Sequence, residues 1–301
     1  MKRSLSRLLA IESPIREANV WLRLLEPPDS CHEALRERVY SGSYDKPFVV
    51  DNGPRRFLHF DFGAIQSVME LSNPVRLALA YTRKMMAFLL FNSAPKRILL
   101  LGLGGGSLAK FCYANLPGAS LTAVEVNQDV IALRDVFAVP ADDRRFRVIN
   151  ADGAAYISTP GNRKDIILAD ACDRKGICAE LGSVEFYRKA RRRLSARGIF
   201  VANICGDRHA VASHLQNLRE AFEEEVLALE VQTGGTQIVF GFKRRRPDCD
   251  RERIEAGAVA LERRFHLDFP RYAKNIMVDS NRDGCSKSDP GFSPRQHRLR
   301  G

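Results

Sequence analysis

The stretch from Arg97 to Ser107, RILLLGLGGGS, decides the fold of this chain. Its apolar run from Ile98 to Leu101 is too short for a buried helix and lies between Pro95 and Gly102, which predicts a fully buried parallel strand. The glycines allow a sharp turn out of the strand. They also let backbone N–H groups approach a ligand at the start of the next helix, predicted from Ser107 to Asn115.

The spacing of these glycines leaves the ligand open. A dinucleotide fingerprint requires a glycine at its third position, which the set Gly102, Gly104 and Ser107 does not supply. Gly102, Gly104 and Gly106, with Gly105 between them, show the alternate spacing common in S-adenosylmethionine-type folds. Considered alone, the loop fits a tight turn, a dinucleotide site or an adenosyl-sulfonium site about equally well.

Composition bounds the class of protein. With 301 residues and 45% apolar content, the chain can form one substantial core with appendages. No apolar run approaches the roughly 20 residues that span a bilayer, and the apolar block Leu8 to Ile11 is too short for a signal peptide. The seven cysteines are odd in number and form no Cys-x-x-Cys pair. We therefore expect reduced thiols, a cytoplasmic protein, no membrane contact and no metal site.

The net charge of +11 raises a second possibility. It is concentrated in Arg191 to Arg193, in Lys243 to Arg246 and in an arginine-dotted tail. Such clusters are typical of nucleic-acid contact, but they equally suit a solvated helix end and domain edge. Because no aromatic platform is interleaved with the charges, the second interpretation is favoured and a nucleic-acid partner is not expected.

Outside the central stretch, the pattern divides the chain into four parts. Residues 1–44 are predicted to be an appendage, with helical spacing over residues 15–25. Residues 45–72 predict a small antiparallel β unit containing a hairpin. Residues 73–267 form the predicted main domain, opening with a helix from Val75 to Phe91 and ending with a helix over 250–265. Residues 268–301 are predicted to be a basic tail, disordered from about Asp279 onward.

Strands and helices alternate regularly through the main domain. Further strands are predicted at Leu121–Val126, Phe146–Asn150, Asp165–Ala169 and Gly198–Ile204, and then at Val226–Val231 and Gln237–Phe242. The last two flank a glycine turn and must be antiparallel. The sequence therefore predicts an α/β fold, a Rossmann-like S-adenosylmethionine-type sheet whose parallel strands end in an antiparallel hairpin, preceded by the small N-terminal β-hairpin unit.

Acidic residues follow three of the predicted parallel strands. In open parallel sheets, ligands lie beyond the carboxyl ends of the strands. Glu125, after the second strand, is a natural acceptor for ribose hydroxyls, and Asp152, followed by Gly153, can reach an adenine amino group. Asp152 can equally be a helix N-cap. Together with Asp170 after the fourth strand, these acids indicate an adenosyl ligand.

Asp170 and Asp173 lie where a second substrate would approach. Two nearby carboxylates attract a cationic amine, and one of them can accept its proton so that nitrogen regains its lone pair. The alternative is an N-cap plus a solvated loop acid.

With these features, residues 47–242 resemble the spermidine synthase family of aminopropyltransferases. The segments that carry the resemblance are Phe62 to Gln66, the glycine loop, Ala123 to Asn127, Asn150 to Gly153, Asp165 to Asp173 and Glu185 to Tyr187. The family implies decarboxylated S-adenosylmethionine as co-substrate, lying over the glycine loop with Glu125 on its ribose and Asp152 near its adenine. It implies Asp170 as the base for a polyamine such as putrescine. It also implies a homodimer or homotetramer. The residues implied to hold the amine or line its path are Asp173, Gln66 and Tyr81.

The chain departs from the family pattern at three places. Gly105 replaces the loop aspartate that would face the donor's bare ammonium group, Arg83 replaces an acid, and Ala171 to Arg174 replaces Ser-Ser-Asp-Pro. These departures keep two alternatives open, a methyltransferase that uses intact S-adenosylmethionine and a non-catalytic protein that binds methylthioadenosine or polyamines.

Overall fold

A mostly parallel sheet organises the computed structural model, which describes residues 8–13, 20–170, 172–173, 176–177, 180–231, 236–245 and 251–285. In chain order the strands are β1 (Leu9–Glu12), β2 (Trp21–Leu24), β3 (Phe48–Asp51), β4 (Arg55–Asp61), β5 (Ala64–Glu70), β6 (Arg97–Leu101), β7 (Ser120–Glu125), β8 (Phe146–Asn150), β9 (Lys164–Ala169), β10 (Cys172–Asp173), β11 (Gly176–Ile177), β12 (Leu194–Ile204), β13 (Val226–Glu230) and β14 (Gln237–Phe242).

The helices in chain order are α1 (His32–Ser41), α2 (Ala80–Met85), a 3-10 helix (Met86–Leu90), α3 (Ser107–Asn115), α4 (Gln128–Ala132), α5 (Gly153–Ser158), α6 (Val184–Arg193), α7 (Arg208–Phe222), α8 (Arg251–Phe265) and α9 (Phe269–Cys285).

The main sheet has the strand order β13-β14-β12-β9-β6-β7-β8. β6 pairs in parallel with β7 and with β9, and β12 pairs in parallel with β9. β14 is antiparallel to both β12 and β13. The central strand β6 is apolar and buried from Ile98 to Leu101, because helices cover both faces of the sheet. The predicted α/β architecture, including the antiparallel hairpin at its end, is confirmed.

The N-terminal sheet is larger than the sequence predicts. β1 to β5 form one antiparallel sheet in sequential order. The helical spacing proposed for residues 15–25 is wrong over β2, where Leu22 and Leu24 are buried and alternate with the exposed Trp21. That alternation has the period of a strand. Because β2 pairs with β3, the predicted boundary after residue 44 falls inside this sheet.

Two helical segments differ from the prediction. The helix expected from Val75 begins at Ala80, because Arg83 donates hydrogen bonds to the carbonyls of Leu77 and Ala78 just before it. The predicted start of the tail at residue 268 is wrong, because α9 occupies its first part and buries Phe269, Tyr272, Ala273 and Ile276 at helical spacing in the core. The helix predicted over 250–265 is confirmed as α8. Within the described ranges, none of the helices combines the length and apolar character needed to cross a bilayer.

Candidate active site at the carboxyl edge of the sheet

The glycine loop leaves β6 in a conformation that side chains would oppose. Gly102, Gly104 and Gly106 have φ angles of 91°, 50° and 68°, in the left-handed region that favours glycine. The Gly102 N–H donates to the Val124 carbonyl at 2.8 Å, which fixes the loop against β7. A Cβ on Gly106 would also overlap the side chain of Val139.

The φ angle of Gly105 lies outside the left-handed region, so its backbone conformation does not require glycine. The residue type at this position is restricted by contacts with neighbouring side chains. A Cβ at this position would lie 2.6 Å from Ser67 Oγ, 2.8 Å from Ser67 Cβ and 3.0 Å from Phe137 Cδ1. Ser67 Oγ in turn lies 3.2 Å from Ser107 Oγ at the start of α3. An aspartate therefore cannot occupy position 105 unless β5 or the segment around Phe137 shifts.

Two buried cations hold that covering segment in place. The Lys110 ammonium, on α3, donates to the Phe137 carbonyl at 2.7 Å. Arg56 donates to the Val136 carbonyl at 2.5 Å and forms a two-pronged ion pair with Asp51. Burial, with Arg56 nearby, lowers the pKa of Lys110 to about 7. The loop is thus clamped between β5, α3 and residues 136–139.

Glu125 ends β7 beside the loop and is buried. Its Oε2 accepts the Leu103 N–H and its Oε1 accepts the Asn127 N–H, both at 2.9 Å. Each oxygen of an ionised carboxylate has a second lone pair. The carboxylate is therefore fixed in orientation and keeps acceptor capacity on both oxygens, which suits two neighbouring hydroxyls.

Asp152 acts as the N-cap of α5. Its Oδ1 accepts the Ala155 N–H at 2.7 Å, the role that the alternative interpretation assigned to it. A Cβ on Gly153 would meet only ordinary contacts with Leu181 and Leu101, at 3.7 and 3.8 Å. Packing within the protein therefore gives no reason for a glycine there.

Asp170 follows β9 directly beside the loop, and its N–H donates to the Leu101 carbonyl at 2.9 Å. Tyr81 donates to Oδ2 at 3.2 Å, and the Asn203 amide donates to Oδ1 at 3.1 Å. Burial raises the pKa of Asp170, while the hydrogen bonds from Asn203 and Tyr81 lower it; the effect of burial is larger and the pKa is raised. The arrangement orients a carboxylate that accepts a proton more readily than a solvated one.

The sheet order explains why these residues meet. β12, β9, β6, β7 and β8 are neighbours, so their carboxyl ends present Asn203, Asp170, the glycine loop, Glu125 and Asp152 in that order along one edge. The acids predicted from separate strands therefore share one edge, on both sides of the glycine loop.

The remaining predicted residues are placed less completely. Gln66 on β5 is half-buried, and its side chain makes no hydrogen bond to another described residue. The backbone of Asp173 lies in β10, which pairs with β11, but its side chain lies outside what the structure describes. Arg83 bonds to the carbonyls before α2 and lies near Tyr272. Its guanidinium therefore has a structural role in the entry to the helix.

Sequence reasoning missed Asn203, Ser67 and Lys110. Asn203 stands at the carboxyl end of β12, so the rule that selected the acids at strand ends could have selected this amide. Ser67 contacts the loop, and Lys110 contacts the segment that covers it, through pairings of residues far apart in the chain, which give no local signal. Among the described residues, no group of three metal-ligating side chains is brought together.

A Rossmann-like sheet with a glycine loop flanked by acids at its carboxyl edge is the architecture of S-adenosylmethionine-type folds. The sequence profile of the spermine/spermidine synthase domain matches residues 78–241, more than half of the chain. The chain belongs to this family.

Individual relatives agree with that assignment. A polyamine aminopropyltransferase of Chromobacterium violaceum is 36% identical over 229 residues, 76% of this chain and 88% of that protein. One from Neisseria meningitidis is 33% identical over 255 residues, 84% of this chain and 97% of that protein. Among solved structures, a probable spermidine synthase from Corynebacterium glutamicum ATCC 13032 aligns with a TM-score of 0.62 at 19% identity, covering 85% of this chain and 98% of that one. This last likeness concerns the fold.

Proposed function

We propose that this chain transfers an aminopropyl group from decarboxylated S-adenosylmethionine to a polyamine such as putrescine and releases methylthioadenosine. The observation that carries the proposal is the half-buried Asp170, held by Tyr81 and Asn203 beside the glycine loop. Relatives named polyamine aminopropyltransferases support the same reaction.

In the proposed reaction, the amine nitrogen attacks the carbon next to the sulfonium. The new C–N bond forms as the C–S bond breaks. The electron pair of the C–S bond stays on sulfur, which becomes the neutral thioether of methylthioadenosine. Asp170 takes the proton that the nitrogen loses. Since Tyr81 and Asn203 each use one lone pair of a different oxygen, both oxygens keep a lone pair for the amine. A raised pKa suits this work, because a base is most effective when its pKa approaches the working pH.

The donor is proposed to lie over the glycine loop. Glu125 would accept its ribose hydroxyls with the lone pairs that the backbone leaves free, and the second oxygen of Asp152 would accept the adenine amino group. Gln66, Tyr81 and Asp173 would line the path of the amine. In this arrangement the fixed, buried Glu125 binds the neutral sugar, and Asp170, which accepts the proton, lies at the reacting nitrogen.

Gly105 keeps a methyltransferase in consideration. Position 105 lacks the acid that would favour the donor's ammonium group, and Ser67 and Phe137 leave no space to add it. Without that charge, selection against the carboxylate of intact S-adenosylmethionine should be weak.

A product assay resolved by mass separates the two reactions. The purified protein receives putrescine with either the decarboxylated or the intact donor. A gain of one aminopropyl unit with the decarboxylated donor supports the proposal. Transfer of a methyl group from the intact donor, with no product from the decarboxylated one, would establish the alternative.

We also infer a homodimer or homotetramer that assembles through the N-terminal sheet. This part of the chain exposes large apolar side chains: Trp21, Tyr40, Phe62 and Ile65. Light scattering on the purified chain tests this, with Phe62→Ser as the variant expected to shift the mass downward. A cytoplasmic location, where thiols such as those of Cys31 and Cys112 stay reduced, belongs to the same proposal.

A further inference from the structure

A cavity with a volume of about 870 Å³ lies at the edge of the main sheet opposite the candidate active site. It is bounded by the end of the 3-10 helix, the first residues of β12, the end of β14 and one side of α8. Asn203 ends β12 at the active-site edge, whereas Arg197 and Ile199, near its beginning, line this cavity. The two sites therefore lie at opposite ends of one strand.

The floor of this cavity is apolar and partly aromatic. It includes Leu89, Phe91, Phe242 and Leu261. The rings of Phe91 and Phe242 meet edge to face, with their centroids 5.0 Å apart. Leu89, Phe242 and Leu261 are already buried in the core, so the half-buried ring of Phe91 offers the surface on which a flat, weakly polar ring system stacks.

The rim carries a high density of positive charge. Its cationic residues are Arg197, Lys243, Arg244, Arg245, Arg253 and Arg264, and no aspartate or glutamate is among the described residues that line the cavity. The side chains of Arg197, Arg244 and Arg253 make no hydrogen bond or ion pair with another described residue. One guanidinium group can donate two parallel hydrogen bonds to the oxygens of a phosphate. Several arginines around one cavity therefore suit a ligand with more than one phosphate.

The surroundings reinforce this charge. Burial lowers the pKa of Lys243, and the nearby Arg191, Arg163 and Arg192 lower it further. An opposing charge here is that of Glu223, which forms an ion pair with Arg191. Among the residues that the structure describes, cations thus outnumber acids around Lys243, and an anionic ligand would relieve their mutual repulsion.

We propose that this cavity binds a nucleoside polyphosphate, with the base on the aromatic floor and the phosphates among the arginines of the rim. A polyphosphate alone would leave the floor unused, and a simple fatty acid would leave most of the charges unmatched. The proposal does not depend on the reaction catalysed at the other edge.

Calorimetric titration of the whole chain at physiological salt tests the proposal, since surface attraction beyond about 8 Å is screened there. The probes are ATP, GTP, tripolyphosphate and decanoate, each with and without saturating methylthioadenosine. The variant Arg197→Glu/Arg253→Glu reverses two rim charges. Arg144→Glu is the matched control, because this exposed arginine lies outside the cavity. Thermal unfolding verifies that all variants are folded.

We expect one nucleoside triphosphate per chain, bound about tenfold or more tightly than tripolyphosphate and unaffected by methylthioadenosine. The double variant should bind at least about tenfold more weakly, the scale of one or two lost charged hydrogen bonds, while Arg144→Glu binds as the wild type does. Displacement by methylthioadenosine would place the nucleotide in the glycine-loop site and overturn the proposal. Equal weakening by Arg144→Glu, equal affinity for tripolyphosphate, tighter binding of decanoate, or no binding at all would also overturn it.

Discussion

The hydroxyl of Tyr81, on α2, donates a hydrogen bond of 3.2 Å to Oδ2 of Asp170 at the end of β9. This bond joins the helix that precedes the glycine-loop unit to the candidate base. This hydrogen bond lowers the pKa of the Asp170 carboxyl group, whereas burial raises that pKa. Burial and the hydrogen bonds from Asn203 and Tyr81 together set the pH at which Asp170 becomes ionised.

Replacing Tyr81 with phenylalanine should move the acidic limb of the kcat/KM profile to higher pH. The ionised form of Asp170 is the active base, and removing the donor raises its pKa further, so activity should be lost at a higher pH on acidification. Steady-state kinetics across the acidic range measure the midpoint.

The matched control for this variant is Tyr113→Phe. Tyr113 donates a comparable hydrogen bond of 2.8 Å to Asp143, and that acid is exposed and away from the glycine loop. Its profile should match that of the wild type. A midpoint that stays in place in Tyr81→Phe would show that Asp170 does not govern the profile.

Replacing Glu125 with glutamine should weaken methylthioadenosine binding by about 1.5–3 kcal/mol, the scale of a hydrogen bond to a charged group. The amide nitrogen of glutamine would also face one of two backbone donors, Leu103 or Asn127. Calorimetric titration measures the affinity, and unchanged affinity would remove Glu125 from the site.

Asp152→Asn is the companion variant, because asparagine caps a helix as well as aspartate does. Its melting temperature should equal that of the wild type, which separates capping from ligand contact. We expect a smaller loss of nucleoside affinity than in Glu125→Gln. A lowered melting temperature would mean that the charge of Asp152 itself stabilises α5.

Introducing the missing loop acid as Gly105→Asp should destabilise the fold by about 1–3 kcal/mol, the usual cost of overpacking. The new Cβ would meet the side chain of Ser67. The same change in a Ser67→Gly background should cost less, because the two closest contacting atoms, both of Ser67, are then absent and only the contact with Phe137 remains. Urea unfolding of all four proteins measures the coupling. If the effects of Gly105→Asp and Ser67→Gly on the free energy of unfolding were additive, Ser67 would not be what opposes a side chain at position 105.

Lys110→Met should remove a pH dependence of stability. The folded-state pKa of Lys110 is about 7, below its ordinary value of 10.5, so the unfolded chain binds more protons between these values. The contribution of Lys110 therefore makes the wild type more stable as pH rises from 7 towards 10. The stability difference between wild type and variant should shift in favour of the wild type over that range. If the difference in free energy of unfolding between wild type and Lys110→Met were the same at pH 7 and pH 9, that result would contradict the lowered pKa.

The sequence predicted the main sheet because its signals are local. A buried run such as Ile98 to Leu101 ends in glycines whose positive φ angles only glycine adopts easily, and the acids follow strands whose carboxyl ends must share an edge. α9 was missed although Phe269, Tyr272 and Ile276 carry the helical spacing, because the polar sequence beyond them dominated the interpretation.

Other features could not be predicted because they depend on contacts between distant segments. Asp152 looks the same in sequence whether it caps a helix or binds a ligand, and only the bond from Ala155 reveals the cap. A side chain at position 105 would collide with Ser67, which lies on β5 of the N-terminal sheet. The bond from Asn203 to Asp170 likewise spans two strands that are far apart in the chain.

The central claim, that Asp170 is the base of an aminopropyl transfer, is tested most directly by comparing wild type with Asp170→Asn. Turnover of decarboxylated S-adenosylmethionine with putrescine and binding of methylthioadenosine are measured on the same preparations. Asparagine keeps the volume but cannot accept the proton, so turnover should fall about 10²–10⁴-fold while nucleoside affinity stays nearly unchanged. Turnover close to that of the wild type, or a collapse of nucleoside affinity together with turnover, would contradict the assignment.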